Sequence, residues 1–146
     1  MNTICGTVGF GETLFHSKAG KYLRNKSMQH ENLGDCEIRS ISFDMPNIHM
    51  KLFSPVNPAS YFITFQDVVY FVFETDHIQN VIEGIFSFNN IHDALECAEF
   101  KDFVKRRNLL DDLMKQFNNY RIFYILPLTG VDCIILCETI KIVTTL

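Results

Sequence analysis

Tryptophan is absent from this chain of 146 residues, and no two cysteines stand at C-x-x-C spacing. The five cysteines, Cys5, Cys36, Cys97, Cys133 and Cys137, are odd in number and scattered, so neither a disulfide framework nor a zinc knuckle is expected; they read as reduced core thiols. Cys133 and Cys137 share one face of an expected strand, but at about 3.3 Å per residue they sit roughly 13 Å apart, too far for a bridge. The longest apolar runs, Val68 to Phe73 and Ile122 to Leu126, fall well short of the roughly 20 residues that cross a bilayer. Met1 to Gly6 lack the basic and apolar regions of a secretory leader, so a cytoplasmic location and no membrane contact are expected. Repeats, low-complexity tracts and Gly/Ser linkers are missing too. A single domain over 1–146 follows, long enough to bury a substantial core unaided.

Catalytic signatures are also wanting. The stretch Gly6-Thr7-Val8-Gly9-Phe10-Gly11 lacks the glycine order of a dinucleotide loop and the G-K-[ST] ending of a phosphate loop, and it reads as a turn. His16, His30, His49, His77 and His92 form no H-E-x-x-H and no zinc spacing, and no G-x-S-x-G is present. His77 follows Asp76 and His92 precedes Asp93, which could orient each ring, but capping and solvation explain both pairs more simply. Cys5 with a remote histidine is a conceivable nucleophile, yet inert buried thiols are far commoner. No catalytic residue, metal ligand or cofactor is therefore expected.

What the chain has in quantity is phenylalanine, fourteen copies, which points to a core of large rings. Cys36 to Phe43 alternates as a strand. Tyr61 to Phe65 and Val68 to Phe73, separated by Gln66-Asp67, read as an antiparallel hairpin or as one long bent strand; their unbroken hydrophobicity suits a sheet position covered on both faces. The stretch between Pro46 and Pro58 reads as a loop. Asn90 and Asn108 each have an acidic residue three positions on, as at a helix N-cap, so two helices are expected at about 91–107 and 109–117, with a break near Arg107-Asn108. Tyr120 to Leu126, a turn at Pro127 to Gly130, Val131 to Cys137 and Ile140 to Thr144 return to strand. Strands, then helices, then strands imply an α+β fold, a mainly antiparallel sheet with both helices on one face.

Charge is distributed unevenly. Basic residues cluster at Lys18, Lys21, Arg24 and Lys26 and again at Lys101, Lys105, Arg106 and Arg107, but a net charge of −4 makes direct nucleic-acid binding unexpected, and the second cluster reads as a solvated helix end. Between Lys51 and Lys101 there is no Lys or Arg, while Asp67, Glu74, Asp76, Glu83, Asp93, Glu96 and Glu99 all lie in that interval. If the fold gathers these carboxylates, they form an acidic surface that steers toward a basic protein. The expectation is a small binding protein that blocks a basic partner, of the immunity-protein, antitoxin or nuclease-inhibitor kind. Two alternatives stand beside it: a small hydrolase or nuclease whose histidines and acids converge only in space, and a homo-oligomeric structural subunit pairing, as a homodimer, through an exposed sheet edge.

Overall fold

The computed structural model describes residues 2–7, 27–29, 33–75 and 79–145. Among these residues are ten strands, β1 (Asn2–Thr7), β2 (Ser27–Gln29), β3 (Cys36–Asp44), β4 (Asn47–Ser54), β5 (Ala59–Gln66), β6 (Tyr70–Thr75), β7 (Val81–Phe88), β8 (Ile122–Thr129), β9 (Val131–Leu136) and β10 (Thr139–Thr145). Three helices, α1 (Ile91–Ala94), α2 (Ala98–Arg106) and α3 (Leu110–Gln116), separate β7 from β8. Every strand pairing is antiparallel, in the order β1-β6-β9-β8-β7-β3-β4-β5-β10 with β2 beside β7. The fold is α+β.

β5 and β6 do not pair with each other. They are one bent strand, and β9 and β10 form a second that runs antiparallel to it: Thr139 lies opposite Gln66 and Leu136 opposite Tyr70. Three residues bridge the bend on one side, Asp67 to Val69, and two on the other, Cys137 and Glu138, so the ribbon carries one extra residue, as a β-bulge does. Asp67 takes it up with φ of 53°, in the left-handed region that Asp tolerates better than most residues. The donors freed at the bend are met by the β3–β4 turn: Val68 N–H donates to the Pro46 carbonyl at 2.8 Å and Asp67 N–H to the Asn47 side-chain oxygen at 3.3 Å. Through this ribbon the ladder closes on itself, because β7 meets β3 at Cys36 opposite Ile82 and Glu37 opposite Val81.

Inside the closed ladder lies one apolar cluster, built from Ile48, Met50 and Leu52 of β4, Ile63 and Phe65 of β5, and Phe123, Ile125, Cys133 and Ile135 across from them. A second cluster covers the outer face of β6, β7, β8 and β9, where Tyr70, Phe88, Tyr124 and Leu136 meet Ile91, Phe100, Phe103, Val104 and Leu113 of the helices. Strands 6, 8 and 9 are thus covered on both faces, which is why they read as continuous apolar runs. Among the described residues β4 and β5 have only one covered face, and their burial alternates.

Four features depart from the reading of the sequence. The stretch 46–58 contains β4; its alternation, Asn-Ile-His-Met-Lys-Leu-Phe-Ser, outweighs the flanking prolines, which sit in turns. β7 was not anticipated, because Gly84 and two register shifts against β8 interrupt its pattern. The expected helix at 91–107 is two helices: Glu96 N–H and Cys97 N–H bond back three residues, to Asp93 and Ala94, and this tighter turn re-aims the chain so that two apolar stripes of different phase enter the same cluster. Asn90 does cap α1, accepting from Asp93 N–H at 3.0 Å. Asn108 caps nothing at its own N-terminal side. With φ of 55° it ends α2, its N–H donating to Lys105 O at 3.1 Å and Leu109 N–H to Val104 O at 3.0 Å, the paired bonds of a Schellman motif.

Phe100 is fully buried, its ring 5.8 Å from Phe88 and 5.6 Å from Tyr124, and it fastens α2 to the sheet. Phe100→Ala is expected to cost about 3–5 kcal/mol in urea unfolding, the usual loss for a large buried ring; a cost near zero would show that the helices are not anchored by this contact.

Candidate functional site

Of the carboxylates expected to gather on one exposed surface, Glu74 is not exposed. Glu74 is buried on β6 and ion-paired with Arg107, so its charge is used within the molecule. On the adjacent strand, Asp132 lies opposite Glu74 in register and accepts from Arg106 at 3.1 Å and from the Tyr124 hydroxyl at 3.0 Å. The basic end of α2, read from sequence as a solvated face, is therefore drawn onto two neighbouring acids of the sheet. Burial pushes the Asp132 carboxyl above its ordinary range, against the pull of Tyr124 and Arg106; burial first, then Asp132, pushes the Tyr124 hydroxyl far above its own. Neither Asp132 nor Tyr124 carries a sequence signal for this role, since their pairing spans the β8–β9 hairpin and meets Arg106 from a helix 26 residues away.

Asp67 occupies the ribbon bend, Glu83 stands on β7, and Asp76 falls outside the described residues. Asp93, Glu96 and Glu99 stay together where α1 passes into α2, with Glu96 exposed and the other two half-buried. Asp93 also receives the Asn90 side-chain amide at 3.3 Å, and Glu99 accepts from the Cys97 thiol at 3.4 Å. Burial, with Glu99 nearby, pushes that thiol up to about 11, so Cys97 is no nucleophile at neutral pH. Cys36, Cys133 and Cys137 are likewise buried and form no disulfide, each thiol raised chiefly by desolvation.

The outer face of β3, β4, β5 and β10 is covered by none of the described elements. Its residues stand in two rows across the strands: Ser40, Lys51, Phe62 and Val143 in one, Ser42, His49, Thr64 and Lys141 in the other. Between the rows lies an open depression of about 360 Å³. The His49 ring is held through Nδ1 by the Thr64 hydroxyl at 3.0 Å, and the Lys51 ammonium lies 5.3 Å above the Phe62 ring. Sequence reasoning missed this face because it took 46–58 as a loop; the period-two pattern of β4 was the signal available.

Comparison with known proteins leaves the geometry to speak for itself. No family model, no curated protein and no solved structure matches this chain. Of the histidines, only His49 and His92 are among the described residues; His49 is bound to a hydroxyl and His92 is exposed on α1. Among the described residues no three His, Cys, Asp or Glu side chains converge as a metal site, and no helix is long and apolar enough to cross a membrane.

Because folding raises the Asp132 carboxyl above its ordinary 3.8, the stabilisation from its bound proton is complete below the usual Asp range and is lost as pH rises through the raised folded value. Asp132→Asn removes this dependence. Compared by urea unfolding from about pH 7 down to about pH 4, wild type should gain stability relative to the variant as the pH falls; a constant difference would mean burial does not penalise the carboxylate.

Proposed function

We propose that this chain is a non-catalytic binding module that blocks a basic protein partner, engaging it through Asp93, Glu96 and Glu99 at the α1–α2 junction. The observation that carries this reading is a separation of charge along the helical layer. The three acids lie within seven residues at one end, in the cation-free interval of the sequence, while the two arginines at the other end are turned onto Glu74 and Asp132. Acids grouped at one end of that layer suit electrostatic steering of a cationic surface. Buried thiols and the hydroxyl-bound His49 add nothing that favours catalysis. The immunity-protein or antitoxin class fits such a module, and the expected cytoplasmic location belongs to the same proposal.

Capture from a lysate of the native source tests the reading. Wild type should retain basic proteins that salt elutes, and Glu96→Lys/Glu99→Lys should lose them while melting at nearly the same temperature, since neither position is in the core. Retention unchanged by the double charge reversal would overturn the proposal.

A second reading, self-association, has its own support. β10 is an edge strand among the described residues, seven residues long, rich in β-branched side chains, with Lys141 as its one charge and Val143 at 57% exposure. Edges this long and this weakly charged are suited to pairing with a second copy. Sedimentation should then give a dimer that Val143→Lys dissociates; a concentration-independent monomer would remove this reading.

A further inference from the structure

We propose that the depression on the outer face of β3, β4 and β5 is a binding site for a phosphate monoester that carries a flat apolar group. This site is on the opposite side of the sheet system from the acidic junction and does not depend on it. The donor set decides the charge of the ligand. Ser40 and Ser42 present hydroxyls, Lys51 an ammonium and His49 a ring nitrogen, and among the described residues no carboxylate lines the depression. An array of donors without an acid repels a cation and suits an oxyanion, because each N–H or O–H gains strength from a charged acceptor.

The pairing of His49 with Thr64 gives the site its direction. In the tautomer in which the Thr64 hydroxyl donates to Nδ1, the ring proton is on Nε2, from which an anion can accept it. Lys51 is adjacent to His49's row through Ser40 and Phe62, and Lys141, opposite Thr64, adds a second ammonium at the border of the same face. These cations concentrate anions locally in a chain whose net charge of −4 otherwise repels them.

An apolar shoulder decides the other half of the ligand. Phe62 and Val143 stand directly opposite each other and are 43% and 57% exposed. A flat group resting there covers apolar surface while its phosphate reaches Lys51, which the Phe62 ring adjoins, and His49 in the next row. The volume, about 360 Å³, is at the small end of ligand pockets and matches one ring with one phosphate. The depression is open, so millimolar affinity is expected for the fragment alone.

NMR titration with phenyl phosphate, inorganic phosphate and phenol separates these contributions. Phenyl phosphate should shift the His49 and Lys51 resonances saturably, inorganic phosphate should do so at roughly tenfold higher concentration, and phenol should not. Lys51→Ala and His49→Gln should each weaken phenyl phosphate about tenfold, the usual scale of a lost hydrogen bond to a charged group. Phe62→Ala should abolish the advantage of the phenyl ester over phosphate. Ser42→Ala, a smaller change on the exposed face, serves if a bulkier variant fails to fold, and it too should weaken binding. Absence of a saturable shift, shifts centred elsewhere, or folded variants that bind as wild type would each overturn the site.

Discussion

The two-stranded ribbon in which β5–β6 runs antiparallel to β9–β10 is the constraint from which the rest of this fold follows. A straight ribbon would leave two flat sheets with free edges; the single extra residue taken up at Asp67 bends it so that one half joins β8 and β7 and the other joins β4 and β3. Closure at Cys36 and Ile82 then encloses an apolar interior that neither half could bury alone. The turn between β3 and β4 is part of the same device, since its carbonyl and amide oxygens accept the N–H groups the bend removes from the ladder.

From this geometry the two outer faces acquire different fates. The half built from β6, β7, β8 and β9 is apolar outside as well as inside, and the helices between β7 and β8 cover it. The other half turns Ser, Thr, Lys, His and Phe side chains outward and remains uncovered by the described elements. Charge follows the same division. Glu74 and Asp132 lie beside each other where α2 ends, and the two arginines there offset the cost of holding two carboxylates out of water. Of the acidic interval seen in the sequence, Glu74 is drawn into an internal ion pair, while Asp93, Glu96 and Glu99 stay at the turn from α1 to α2.

Much of the fold was legible along the chain. The strand from Cys36 to Phe43, the continuous run of Val68 to Phe73, the Asn90 cap and the change of helical phase near Asn108 are local consequences of period, propensity and capping and have their counterparts in the structure, although a bulge between Ile38 and Ser40 turns Ser40 and Ser42 to the face opposite Cys36 and Ile38. β4 was hidden by flanking prolines and β7 by a glycine and irregular register, both cases in which pairing with neighbours overrides a weak local signal. The acidic interval was legible as composition and illegible as a site. Arg107 reaches Glu74 from another element, and no spacing rule relates a helix end to a strand laid down thirty residues earlier.

Sequence by itself determined the class of fold, the large-ring core and the skew of charge, because each depends on residue type and on neighbours within a few positions. Tertiary structure alone decided which acids are neutralised, which sheet face the described elements leave uncovered, which hydroxyl meets His49 and which ring meets Lys51. These are contacts between residues distant in the chain, and they exist only once the bent ribbon has closed the ladder.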